Sequence, residues 1–328
     1  KVDSNHLDAN NNLGALLYGL DRLEEAEKSY KKAIMLKPDF AEAHYNLGVT
    51  LQKLNKLEEA EVYYKKAIEI KKDFDVAYNN LGNIQKNLSR LEEAEENYRK
   101  AIEAKPDYAE AHTNLGNTLK DLGKLEDSEL SQKKAIELRP NFIEGHYNLG
   151  VLLQKLNKTS EAELSYKKAI ELNPSYVDAH NNLGIMQGQL GKLNEAVTSF
   201  KKSIELRPDY AEAHANLGNT LKDLGKLEEA AESQRKALEH KMDFDVGHYN
   251  LGTTLYLLKQ FKKAADEFEL SNYKDSKKHL LKCYFDLNDQ SNLIKQLDKM
   301  LDQGYNNAVI GSFVSRSKAR YGVHKQNP

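Results

Sequence analysis

The chain holds a single cysteine, Cys283. That excludes an internal disulfide framework and a multi-cysteine zinc site, and it favours a reducing compartment, so a cytoplasmic setting is the default expectation. Charge of one sign is missing too: 48 Lys and Arg stand against 50 Asp and Glu, a formal net charge of −2. Such a balance points to neither nucleic acid nor an anionic membrane as a partner. No apolar run approaches the roughly 20 residues needed to span a bilayer, and "KVDSNHLDAN" lacks signal-peptide character. The chain begins at Lys1 without a methionine and stops at "HKQNP", so a fragment of a longer protein is expected. Proline is scarce, yet five of the six prolines, Pro38, Pro106, Pro140, Pro174 and Pro208, fall at one repeated position.

What is present is repetition. The tripeptide "NLG" recurs at Asn12, Asn46, Asn80, Asn114, Asn148, Asn182, Asn216 and Asn250, always 34 residues apart. Eight units follow, starting at residues 7, 41, 75, 109, 143, 177, 211 and 245. Within a unit the apolar residues keep a helical period, as with His44, Leu47, Gly48 and Leu51, then Leu57, Ala60, Tyr64, Ala67 and Ile68. Each unit is therefore a pair of helices. A short polar turn separates them, with glutamates at the second helix's positive end. The shared prolines stop the second helix, and a following Asp or Asn such as Asp39 is expected to cap the next. Lysine pairs such as Lys65–Lys66 and Lys167–Lys168, near the second-helix ends, are expected to complement the helix dipole.

Glycine inside a helix costs about 1 kcal/mol relative to alanine. The recurrence of Gly14, Gly48, Gly82, Gly116, Gly150, Gly184, Gly218 and Gly252 thus implies close packing, which small residues on the second helix, such as Ala26, Ala60, Ala94 and Ser128, would permit. Period, Leu–Gly pair, small second-helix residues and closing proline together resemble the tetratricopeptide repeat, from residue 7 to about 278. The resemblance implies an all-α solenoid whose pairs stack as a right-handed superhelix, with the first helices on its concave side. The family's large aromatic at the fourth position is mostly His here, at His44, His112, His146, His180, His214 and His248, with Tyr78 and Asn10 as departures. Residues 279–303 read as a degenerate ninth pair that caps the stack, and 304–328 as a further short helix and basic tail, the helix over 306–323.

Asparagines repeated at one helical phase have two readings. They could hold neighbouring helices together, or they could form a ladder of amides that pairs with the backbone of an extended peptide whatever its sequence. The second resembles the asparagine ladder in the repeat arm of the O-linked N-acetylglucosamine transferases. On that resemblance Asn46, Asn80, Asn114, Asn148, Asn182 and Asn216 form the binding set, with Asn12 and Asn250 at its ends.

A longer period of three units overlies the first. It repeats Tyr45, Tyr147 and Tyr249 beside the ladder, with Asn117 and Asn219 between them, a pattern suited to a partner with spaced apolar residues. Recent copying alone would also produce it. The carboxylate clamp found in other members of the family needs a basic residue beside the asparagine. Here those neighbours are Asn11, Tyr45, Asn79, Thr113, Tyr147, Asn181, Ala215 and Tyr249, none of them basic. Pentatricopeptide RNA readers have a longer period and a basic groove, which disfavours RNA.

No phosphate loop, dinucleotide fingerprint, H-E-x-x-H or G-x-S-x-G is present. "HLD" at residues 6–8 matches half of an iron-binding set, but in this register it is a chance match. The repeated histidines should lie side by side and pack, not converge on a metal, and Cys283 should be core. Two functions remain: a scaffold that binds extended polypeptide in its concave groove without catalysis or cofactor, or the substrate-recognition arm of a larger enzyme. The scaffold is the first reading; a loose resemblance of residues 311–328 to the junction before bacterial 2-oxoglutarate- and iron-dependent oxygenase domains supports the alternative, and glycosyltransferases also follow such arms.

Overall fold

The computed structural model describes residues 7–273 and 275–304, together with 311 and 315. Among these it is all helix, eighteen helices without a strand. They fall into two compact units, residues 1–172 and 173–328. The first contains five helical pairs: α1 (Leu7–Gly19) with α2 (Leu23–Leu36), α3 (Ala41–Lys53) with α4 (Leu57–Ile70), α5 (Asp75–Asn87) with α6 (Leu91–Ala104), α7 (Ala109–Asp121) with α8 (Leu125–Leu138), and α9 (Ile143–Lys155) with α10 (Thr159–Leu172). The second holds α11 (Val177–Gln189) with α12 (Leu193–Leu206), α13 (Ala211–Asp223) with α14 (Leu227–His240), α15 (Asp245–Leu257) with α16 (Phe261–Leu270), then α17 (Ser276–Asp286) and α18 (Gln290–Asp302). The short helix expected over 306–323 falls outside the described residues, 311 and 315 apart.

Each pair meets at its glycine. A β-carbon on Gly48 would stand 2.8 Å from the ring of Tyr64, which is fully buried. The glycine therefore makes room for a second-helix ring sixteen residues on. The expected approach to the small second-helix residues is a second contact: Ser128 Oγ donates to the Gly116 carbonyl at 2.6 Å, and the Ala230 carbonyl would lie 3.0 Å from a β-carbon at Gly218. Pairs then pack on pairs. Leu17, Tyr30, Leu47, Leu51, Tyr64, Leu81 and Ile84 form one cluster running through three repeats. In the second unit Leu251, Leu255 and Phe268 join Leu280, Leu281, Cys283, Leu293, Leu297 and Met300, so α17 and α18 cover the last regular pair.

The helix starts differ from the sequence expectation. Phe40, Phe74, Tyr108, Phe142, Tyr176, Tyr210 and Phe244 occupy the capping positions, and none makes a side-chain cap hydrogen bond. Asp39 caps nothing; it lies one residue too early. Except at Tyr176, where Asn173 holds that position, the aromatic instead packs under the basic residue that ends the preceding second helix, with Lys71 Nζ 4.6 Å from the Phe74 ring centre and the Arg207 guanidinium 4.7 Å from that of Tyr210. The basic C-cap favours the helix's negative end while its charge rests on the ring.

Histidine ties the same junction. His44, His112, His146, His180 and His214 place Nε2 2.8–3.1 Å from the carbonyls of Pro38, Pro106, Pro140, Pro174 and Pro208, and His248 does the same to Met242. A ring donating from Nε2 satisfies each carbonyl and anchors the turn to the next helix, and at His248 the other ring nitrogen, Nδ1, also faces Glu267 Oε2 at 2.7 Å. Burial is the largest influence on His214 and lowers its pKa, which keeps the ring neutral.

The lysine pairs also have carboxylate partners rather than bare helix ends. Lys65 meets Glu61 at 2.7 Å and Lys66 meets Glu69 at 2.7 Å; Lys167 and Lys168 meet Glu163 and Glu171.

Candidate functional site

In the second to eighth repeats the asparagine of "NLG" lies on its first helix one residue before a buried leucine, such as Leu47, Leu115 or Leu217, whereas Leu13 of the first repeat is exposed. That phase leaves Asn46, Asn80, Asn114, Asn148, Asn182, Asn216 and Asn250 half-buried at the edge of the inter-repeat seam, while Asn12 is exposed.

Within the first unit a regular bond appears. Asn46 Nδ2 donates to Asn11 Oδ1 at 3.2 Å, Asn80 Nδ2 to the Tyr45 hydroxyl at 3.2 Å, and Asn114 Nδ2 to Asn79 Oδ1 at 3.0 Å. In the second unit Asn216 Nδ2 donates to Asn181 Oδ1 at 3.2 Å. Every one of these links reaches back thirty-five residues.

The acceptor is thus the residue just before the previous rung. It explains which rungs differ: Asn148 has Thr113 in register, whose hydroxyl donates to the Ala109 carbonyl at 3.1 Å, and Asn250 has Ala215, which carries no polar side chain. Neither Asn148 nor Asn250 has a side-chain partner among the described residues. Asn182 Oδ1 lies 3.4 Å from Asn181 Nδ2.

Asn46 and Asn216 therefore have their amide nitrogens committed to one internal acceptor, and Asn80 and Asn114 have theirs committed to two each. Their Oδ1 atoms have no donor among the described residues, so what these four offer is chiefly an acceptor. This narrows the expectation that each rung presents both donor and acceptor. The role of the preceding residue as acceptor was missed, although the alternation Asn11, Tyr45, Asn79 beside the ladder carried the signal.

The remaining candidates are engaged in packing. Tyr45 lies with its ring centre 5.8 Å from that of Tyr64 and 5.1 Å from Phe74; Tyr147 is 5.8 Å from Tyr166; Tyr249 is 5.9 Å from Phe268 and 4.9 Å from Tyr273. All three are half-buried, and burial raises the pKa of Tyr45 and Tyr249. Asn117 and Asn219 accept from Gln132 and Gln234 Nε2 at 3.0 and 3.1 Å, one turn beyond Asn114 and Asn216 on the same helix face. Among the described residues no group of three or more His, Cys, Asp or Glu side chains could hold a metal, and no helix is long and apolar enough to cross a membrane.

Tetratricopeptide repeat models match residues 41–74 and 143–176, 63–96 and 165–198, and 211–240, and a TPR repeat model matches 17–55, 87–123, 116–157 and 188–225. Among solved structures the chain is similar to YrrB, described as a TPR protein with an unusual peptide-binding site, at 26% identity and a TM-score of 0.51, covering 56% of this chain and 95% of that one. It shares its fold with the pilF protein of Pseudomonas aeruginosa, at 21% identity and a TM-score of 0.57 over 63% of this chain and 94% of that one. The APC/C hetero-tetramer Cut9–Hcn1 is alike in fold at 14% identity and a TM-score of 0.54 over 80% and 52%. No curated protein matches. Since the matched segments run unbroken from residue 17 to 240, across the observed helical pairs, the chain belongs to the tetratricopeptide repeat family.

Proposed function

We propose that this chain is a non-catalytic scaffold that holds extended polypeptide against its first helices, in the groove expected on the concave side. Tetratricopeptide scaffolds serve protein and peptide binding, and YrrB, similar over 95% of its own chain, is described by its peptide-binding site. The observation that carries the reading is the repeated half-buried asparagine whose Oδ1 is left without a donor on α3, α5, α7 and α13. Within the first unit such acceptors on α3, α5 and α7 meet backbone N–H groups irrespective of peptide sequence. Asn148, with its whole amide available, would be the strongest rung of the first unit.

The test contrasts two rungs. Asn148→Ala removes no internal bond, so peptides selected from a random library on the full chain should bind several-fold more weakly while urea unfolding stays unchanged. Asn114→Ala removes internal bonds as well and should weaken both, by about 0.5–1.5 kcal/mol per ordinary hydrogen bond. Unaltered binding by Asn148→Ala, or a library that yields no binder, would reject the ladder.

A further inference from the structure

The first helices α3, α5, α7 and α9 of the first unit each carry a lysine in their last turn: Lys53, Lys86, Lys120 and Lys155. On α7 the spacing Asn114, Asn117, Lys120 keeps one helix face, so the lysine continues the line of the candidate peptide-binding asparagines. Lys120 is half-buried, and it has no hydrogen-bond or ion-pair partner among the described residues. Its adjacent carboxylate, Asp121, is engaged 3.3 Å from Lys86 Nζ. By contrast Lys56, Lys65, Lys124 and Lys158 pair with glutamates.

Burial is the largest influence on Lys120; Asp121 opposes it, Lys155 and Lys86 reinforce it, and the ammonium is held below the ordinary lysine value. A half-buried cation among like charges gains most from an incoming anion.

We propose that Lys120, flanked by Lys86 and Lys155, receives an acidic side chain of the bound polypeptide, so that the groove of the first unit selects an extended segment carrying Asp or Glu at one position. This rests on the peptide-binding reading above and adds a selectivity that the asparagines alone lack. A side-chain carboxylate is the fitting anion because the flanking amides Asn114 and Asn117 suit peptide backbone. The lysines stand at the far end of the helices from the positions where the family's carboxylate clamp would need them.

The experiment takes library-selected peptides and compares each Asp- or Glu-containing binder with its Asn or Gln twin on the full chain. The acidic member should bind about tenfold tighter at low salt, the scale of a charge-assisted bond in a partly desolvated site. That preference should shrink to about twofold or less in Lys120→Met, and also in about 0.5 M salt, where the Debye length falls to a few ångströms. Lys120→Met should fold normally, since it removes a charge that burial disfavours, and the neutral twins should bind it as they bind the unaltered chain. Equal affinity of the twins for the unaltered chain, or a preference that survives Lys120→Met, overturns the proposal. Failure of the peptide-binding reading looks different: binding of both twins is then indifferent to Asn148→Ala, or absent, and the lysine proposal falls with it.

Discussion

Asn114 donates to Asn79 across 3.0 Å, and Asn79 is completely buried. A polar side chain at that depth is retained because it receives the next repeat's amide, which fastens α7 to α5. Asn79→Ala should therefore cost about 0.5–1.5 kcal/mol, the scale of an ordinary hydrogen bond, since half-buried Asn114 keeps its second contact with Asn83 at 3.2 Å. Hydrogen exchange is the suitable measurement, because stability in a solenoid is a sum of local terms. Faster exchange should centre on α5 and α7; a uniform change along the chain would show that the bond does not join repeats.

The glycines should not be equivalent. Alanine at Gly48 meets the Tyr64 ring at 2.8 Å, and a buried ring cannot step aside, so a loss of about 1–3 kcal/mol is expected. At Gly116 the obstacle is the Gln132 side chain, also at 2.8 Å, which is buried and hydrogen-bonded to Asn117 but has more torsions than a ring, and the loss should be smaller. Matched urea titrations of the two variants check the order.

Acid should loosen the first unit through four glutamates. Glu27, Glu61, Glu95 and Glu129 each receive a basic residue of the next repeat's turn: Lys56 at 3.0 Å, Arg90 with Nη1 at 3.2 Å, Lys124 at 2.7 Å and Lys158 at 2.9 Å. Burial alone would raise these carboxyls, but the hydrogen bonds from their basic partners outweigh it and leave all four lowered. A lowered folded pKa means stability that is complete above the unfolded carboxyl value of about 4.3 and lost as pH falls through the folded values. Glu61, Glu95 and Glu129 replaced together by Gln should flatten the acid limb of the urea midpoint. An unchanged limb would place the acid sensitivity elsewhere.

Cys283 should report on the cap. It is fully buried, and burial pushes its thiol up to about 12, so the native chain should react slowly with a thiol reagent at neutral pH. Reaction then needs α17 and α18 to open. Leu293→Ala, which removes a fully buried contact of that cluster, should accelerate labelling well before the regular repeats unfold. Equal rates in both proteins would mean that Cys283 is reached without loosening the cap.

The helical pairs were legible in the sequence because Leu47, Gly48, Ala60 and Tyr64 recur with a period that only a helix can bury on one side. Which contact the glycine serves was only partly legible, since Ala60 and Tyr64 both qualify by spacing and only the geometry separates them. The helix starts were misread for a physical reason: Asp39 has the chemistry of a cap, but Phe40 gains more by lying under Lys37, 5.5 Å away, and takes the capping position without a bond. The histidine bonds to proline carbonyls left a visible trace in the constant spacing from Pro38 to His44. The ladder was visible as a row; its internal use was not, because donor and acceptor sit in different repeats.

The link from each rung to the residue before the previous rung also governs what happens when whole repeats are removed. Excising residues 109–142 leaves the period intact and brings Asn148 into register with Asn79, an acceptor where Thr113 stood. The shortened chain would gain the bond that Asn148 lacks, while Glu95 would meet Lys158 in place of Lys124. Polar complementarity at this seam is thus modular, a property of neighbours and not of position in the whole. The price of losing a rung for peptide could be a tighter joint.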